Sequence, residues 1–169
     1  MWPFSDSTKC DCASHSHLTL DRKAISTRIR LSKALKKRLR VVAEDSALGV
    51  ALFSCPICGE NWQSGREWNF ANEEYLFRVP PITPEEWKRE HYRQPAAMMI
   101  YSAVMSDYHS RTKFSPSQDK CRTEGCEERA STIGVFCRRH QIKELQAIGK
   151  LPKTPSGRLF PPYYEEKPA

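Results

Sequence analysis

The string Cys55-Pro56-Ile57-Cys58-Gly59 constrains this chain more than any other feature. Two cysteines separated by two residues can place both sulfurs on one metal ion, each ~2.3 Å from it. A glycine after the second cysteine permits the left-handed backbone turn of a knuckle, where a Cβ would clash. A redox pair would call for a thioredoxin-like βαβ setting, and the flanking sequence shows none. One knuckle supplies two ligands, whereas structural zinc takes four. Cys10-Asp11-Cys12 is the obvious donor of the other two, with His15 or His17 as a substitute for one of them. Such a centre ties residue 10 to residue 58 and encloses everything between them.

A second cluster reads Cys121-x4-Cys126-x10-Cys137-x2-His140, with the last pair where a helix is expected to start. Two ligands from a loop and two from a helix start form a common small zinc-module geometry. Gly125 and Gly134 supply turns beside the ligands. The seven cysteines and His140 divide into two sets of four with no thiol left over. An odd cysteine count also argues against a complete disulfide framework. Four protein donors leave no open position for a catalytic water, so two structural zinc ions are the expected cofactors. Iron is the competing metal at a four-sulfur site.

Metal suits this composition. Apolar residues make up 39% of the chain, below the ~45–50% usual for globular domains. Chains with thin cores often recruit metals or disulfides. The opening MWPFSDSTKCDC shows no basic region followed by an apolar run. The longest apolar-leaning stretch, residues 47–53, is too short to span a bilayer. The expected setting is therefore the reducing cytoplasm, with no membrane partner, where clustered thiols read as metal ligands.

The remaining sequence predicts an α+β fold: a small zinc-ribbon-like β element, two or three helices and a C-terminal zinc module. Ile25, Ile29, Leu35, Leu39 and Val42 suit one helix face over 21–45, with Asp21 as its cap. The alternation Ile25, Thr27, Ile29, Leu31 is the competing strand reading. LGVALFSC and EYLFRV read as strands, separated by the turn formers of NWQSGREWNFAN. Thr83-Pro84-Glu85-Glu86 predicts a capped helix start. Pro95 ends that helix and starts another, with Met98, Tyr101, Ala103, Met105 and Tyr108 available for packing. QIKELQAIG predicts a last short helix ended by Gly149. The expected domains are residues 1–110, a linker at 111–120, and a zinc module at 121–169 with an extended tail that lies against the body through Leu159, Phe160, Tyr163 and Tyr164.

Charge separates the function classes. The net charge is +7, yet residues 22–40 hold nine Lys/Arg and no Asp or Glu. The other 150 residues carry 18 basic and 20 acidic side chains. Any preference for nucleic acid or an acidic partner thus belongs to that block, with Arg28, Arg30, Lys33, Lys36, Lys37 and Arg40 as its contact candidates. The block has no aromatic residue, which disfavours single-strand recognition by stacking. Trp62, Trp68, Phe70, Tyr75 and Phe77 lie outside it; they read first as core around the knuckle and second as a protein-binding surface. No H-x-E precedes the knuckle, and H-E-x-x-H, G-x-S-x-G, Walker and G-x-G-x-x-G strings are all absent. Glu85, Glu86 and Glu90 read as a solvated helix face, and His91 and His109 as isolated surface or packing residues. The chain is expected not to be an enzyme.

Two strings resemble known groups. CDC near the start with the later CPICGENW resembles small bacterial zinc-ribbon proteins found beside polymorphic toxins, some of them proposed immunity proteins. CRTEGCEERASTIGVFCRRH resembles small C-x4-GC…C-x2-H zinc modules that occur as appendages in several contexts. The resemblance covers roughly residues 10–62 and 121–140. It implies Cys10, Cys12, Cys55 and Cys58 as one zinc set, and Cys121, Cys126, Cys137 and His140 as the other. It also implies a protein partner, a toxin, neutralised by binding. The basic charge departs from the acidic, nucleic-acid-mimicking character typical of inhibitors of nuclease toxins.

Overall fold

The computed structural model describes residues 9–163. The chain is α+β and forms two compact units: residues up to 99 together with those from 155 on, and residues 100–154. No helix among the described residues is long and apolar enough to cross a membrane.

The first unit opens with helix α1 (Arg22–Lys36), capped by the Asp21 carboxylate, which accepts from the Ala24 amide at 2.8 Å. The helix buries Ile25 and Leu35 but stops at Lys36. Beyond it the sequence turns β-branched, and Val41 and Val42 belong to strand β1 (Arg40–Asp45). The helical reading of 21–45 is thus corrected at its C-terminal third. β2 (Val50–Ser54), β3 (Asn61–Gly65) and β4 (Tyr75–Val79) follow, and the four strands pair antiparallel in chain order.

Strand β3 falls within a stretch whose composition reads as a turn. It carries one large apolar residue, Trp62, yet residues 62–65 are all buried. Internal hydrogen bonds make this possible. The Gln63 amide accepts from the Trp87 indole N–H (2.8 Å) and the Tyr92 N–H (2.9 Å), and donates to the Tyr92 carbonyl (2.8 Å). The Ser64 hydroxyl accepts from the Ala51 amide at 2.7 Å.

β4 is an edge strand whose outer backbone groups would attract another chain. Helix α1 caps them: the Leu76 N–H donates to the Ser32 hydroxyl (2.8 Å) and the Leu76 carbonyl accepts from Arg28 (3.1 Å). Helix α2 (Pro84–Arg89) starts with the expected reciprocal capping box of Thr83 and Glu86 and buries Trp87 against the sheet core.

The tail belongs to this first unit and not to the zinc module from which it extends in sequence. Phe160 is buried among Phe77, Tyr92 and Tyr163. A bridge joins Tyr92 to Arg158. Gly157 makes the approach feasible: its φ is +109°, and a Cβ there would lie 2.8 Å from the His91 carbonyl oxygen. Tyr164 lies outside the described residues.

Helix α3 (Pro95–Arg111) starts at the expected proline and leads into the second unit. Met98 and Met105 are buried, Tyr101 and Tyr108 half-buried, and Ala103 is exposed. Residues 116–120, expected as linker, instead form β5 (Pro116–Lys120), paired antiparallel with β6 (Arg129–Ser131). Its sequence, Pro-Ser-Gln-Asp-Lys, has no apolar alternation because the strand is largely exposed. Helix α4 (Arg138–Ala147) follows, with Gly149 at φ +73° beyond its end.

Gln63→Leu should destabilise the zinc-loaded protein by about 3 kcal/mol, because it strands three buried polar partners at once. Urea unfolding measures this directly; a loss under about 1 kcal/mol would mean those partners re-pair elsewhere.

Candidate metal centres

The first centre is assembled by a hairpin. Cys55 directly follows β2, and the β2–β3 connection folds back so that the Gly59 N–H donates to the Cys55 carbonyl (2.9 Å) and the Cys55 N–H to the Glu60 carbonyl (2.9 Å). Gly59 takes φ +77°, the left-handed conformation that the sequence reading requires of it. This turn aims the sulfurs of Cys55 and Cys58 to one side. Cys10 and Cys12, at the start of a short 3-10 turn (Cys12–Ser14), bring theirs to the same place. The four sulfurs lie within 4.8 Å of one another. Ligation by an ion at ~2.3 Å with tetrahedral angles separates sulfurs by ~3.8 Å, so this spacing fits one zinc.

Packing holds the centre. Cys12 and Cys55 are buried in one cluster with Leu35, Ala51, Phe53, Trp62 and Leu76. His15 and His17, the alternative donors, stand outside the four-sulfur group. The His15 ring lies edge-on to Trp62 at 5.8 Å and its Nε2 is 3.7 Å from Asp11. Asp11, between the two ligands, also pairs with Arg38 at 2.6 Å, which fixes the CDC segment to the chain just after α1.

The second centre grows from the short hairpin of β5 and β6. Cys121 follows β5, and its N–H donates to the Glu128 carbonyl at 2.8 Å. Gly125, at φ +72°, turns the chain into Cys126. Cys137 is the N-cap of α4, and His140 sits in that helix's first turn. The His140 Nδ1 lies 3.4 Å from the Cys121 sulfur and 3.3 Å from the Cys137 sulfur. The Cys126 and Cys137 sulfurs are 3.9 Å apart. A tetrahedral zinc asks for ~3.5 Å between sulfur and nitrogen and ~3.8 Å between sulfurs, close to what is found. The buried cluster here consists of Cys121, Cys126 and Cys137, with Phe136 packed against it. Metal therefore takes the place that aliphatic side chains fill in a larger core.

The thiols are poised unequally. Burial would raise Cys55, but the Cys58 and Ile57 amides aimed at its sulfur outweigh that and bring it down to about 7. Burial acts against Cys121 too, yet the Cys137 and Thr123 amides lower it to about 6. Cys12 is pushed up strongly by burial and by its sulfur neighbours Cys55 and Cys58, and Cys137 is raised to about 11, chiefly by burial. Crowded thiols cannot all ionise without a cation among them, and zinc supplies that charge. All eight expected ligands are thus brought together in two sets of four, each suited to a structural zinc ion.

The basic segment divides. Arg28, expected at a nucleic-acid or acidic-partner contact, is only 6% exposed. It donates to the Leu76 and Ser16 carbonyls and lies over the Trp62 ring at 5.6 Å. It falls three residues after Ile25 and seven before Leu35, on the inward stripe of α1, and so is not part of the exposed basic face of the helix. Lys36 pairs with Glu74 at 2.8 Å. Arg30, Lys33, Lys37 and Arg40 are exposed. In the aromatic group, Trp62, Phe70, Tyr75 and Phe77 are buried, whereas Trp68 is 72% exposed. His91 packs edge-on against Trp87 at 4.3 Å and faces Asp45 at 3.4 Å; His109 contacts Arg138 at 2.8 Å.

Elemental analysis of the purified chain should return two zinc ions. Cys55→Ser and Cys121→Ser should each lower this to about one, and each lost ion removes on the order of 10 kcal/mol of folding free energy from its centre. His15→Ala and His17→Ala should retain both ions. No protein-family model, curated protein or solved structure matches this chain, so the reading of the two centres rests on its own residues.

Proposed function

We propose that this chain is a non-catalytic zinc-stabilised binding protein that acts by contact with another protein. The observation carrying this reading is Trp68. Its short 3-10 turn (Trp68–Phe70) is capped by the Glu67 carboxylate and closed by two consecutive left-handed residues that are not glycine, Ala71 and Asn72, both at φ 55°. Such backbone costs on the order of 1 kcal/mol per residue and tends to persist at sites that use it. The turn it closes leaves the Trp68 side chain in solvent. An exposed Trp is a favoured anchor of protein interfaces. Ile57, between the ligands of the first knuckle, and Ile133, 81% exposed in the second unit, are further exposed apolar side chains.

One cation, Arg22, borders the Trp68 turn. The Arg22 guanidinium lies 4.9 Å over Phe70 and donates to the Asn69 carbonyl at 3.0 Å. A partner presenting an apolar pocket with acidic neighbours fits this surface. The resemblance to toxin-associated zinc ribbons makes a co-encoded toxin the first partner to test. The two metal sets support a role without catalysis, since each is filled by protein donors.

A second reading, nucleic-acid binding, is favoured by an open groove of about 610 Å³ along α1, lined by Arg30, Lys33, Lys36 and Lys37. Glu73 and Glu74 share that groove and offset part of its charge.

The two readings separate in one set of experiments. On the protein reading, affinity capture from the native host followed by mass spectrometry retains one stoichiometric protein, and Trp68→Ala loses it while keeping two zinc ions. On the nucleic-acid reading, retention on DNA falls steeply with salt, and Lys33→Ala with Lys37→Ala flattens that slope by about two. Capture indifferent to Trp68→Ala would remove the protein proposal.

A further inference from the structure

Beyond the two metal sets, the first unit holds a cleft of about 430 Å³ between the 14–19 segment and the first turns of α1. Its lining is unlike the apolar walls common in small-molecule pockets. Beside an apolar wall from Leu18, Ala24 and Leu31, hydroxyls come from Ser14, Ser16, Thr19 and Thr27, imidazoles from His15 and His17, and cations from Lys23 and Arg28. Asp21 is the one acidic lining residue, and its carboxylate is engaged by Thr19 and the Ala24 amide as the helix cap.

Arg28 carries the argument. A buried charge is normally paired, because burial without a counter-charge costs several kcal/mol. Among the described residues no carboxylate forms an ion pair with Arg28. Its guanidinium has five N–H donors, and the two bonds it makes go to neutral carbonyls. Beneath it, the Trp62 ring lies at 5.6 Å, and the buried Trp62 indole N–H has no acceptor. The local field is positive as well. Burial, and then the Arg78 cation, hold the His17 imidazole below its usual pKa; Glu60 opposes them, and Arg28 adds a lesser lowering. A planar guanidinium with free donors, an ammonium and several hydroxyls around one cleft form a donor set that matches a phosphate group.

We infer that this cleft binds a phosphate monoester, with Arg28 and Lys23 as its charge partners and His17 and Thr27 completing the donor set. The open cleft leaves room beside a phosphate for an attached organic group. This site is independent of the Trp68 surface and of the α1 groove, so its test does not depend on either proposed function.

Titration calorimetry of the zinc-loaded full chain with inorganic phosphate and with 5′-AMP tests it, alongside an unphosphorylated single-stranded DNA as a source of phosphodiesters only. Saturable one-to-one binding of AMP is expected, and bound ligand should raise the melting temperature. Lys23→Ala and His17→Ala should each weaken binding about tenfold while keeping two zinc ions. Lys33→Ala, in the neighbouring groove, should leave it unchanged. AMP binding tighter than phosphate identifies the monoester; equal binding identifies free phosphate as sufficient. No saturable binding of either at millimolar concentration, binding indifferent to both cleft variants, or binding of DNA alone overturns the inference.

Discussion

The first unit depends on the attachment of its N-terminal segment to the β2–β3 knuckle. Cys10 and Cys12 meet Cys55 and Cys58 at one point, and α1 lies inside the loop so closed. Nothing else in so short a segment could hold it there by apolar burial alone: of residues 9–17, only Cys12 is buried. Once fixed, the segment delivers the Ser16 carbonyl to Arg28 and the Leu18 carbonyl to Tyr163, tying the helix and the C-terminal tail to the same strip of chain. The metal thereby organises contacts well outside its own ligands.

Helix α1 solves a second problem. An open four-stranded sheet exposes two edges, and an unprotected edge invites pairing with other chains. Ser32 and Arg28 both reach Leu76 on the outer side of β4. Ser32 also donates to the Arg28 carbonyl at 2.7 Å, so one hydroxyl serves the helix and the strand together. These two polar residues lie on the buried side of the helix, where a hydrophobic-pattern reading looks for leucine. They do for β4 what a fifth strand would otherwise do.

The parts legible in the sequence are those set by local chemistry. The knuckle, the Cys137–His140 pair, the Asp21 cap, the Thr83–Glu86 box and the Pro95 start each depend on a few adjacent residues, and the structure shows every one. The parts not legible depend on partners far along the chain. β3 has no apolar alternation because Gln63 and Ser64 are buried through bonds to Tyr92, Trp87 and Ala51. β5 is invisible because the hairpin it forms is held by the metal ligands beside it and needs no apolar face. Arg28 looked like surface charge because only the fold reveals the carbonyls waiting for it. The tail's return to the first unit required knowing that Phe77 and Tyr92 leave a place for Phe160.

A common thread links the thin core, the metal and the buried polar groups. With few aliphatic residues to spend, the second unit builds its centre from three sulfurs and an imidazole, and the first inserts Gln63, Ser64, Arg28 and Ser32 where a larger protein would place hydrocarbon. Buried polar groups hold only when each donor and acceptor is met, which makes geometry strict. On the function proposed above, that strictness is what would hold a contact surface in place on a small scaffold. On that proposal the contact surface is set on two tight turns, with Trp68 on the one closed by left-handed Ala71 and Asn72 and Ile57 between two metal ligands. Interactions made by such pre-set side chains lose less conformational entropy on association than those made by flexible ones. Arg28 has no counter-charge in this interior and the Trp62 indole N–H beneath it has no acceptor; an anion from solution is the partner the proposal supplies.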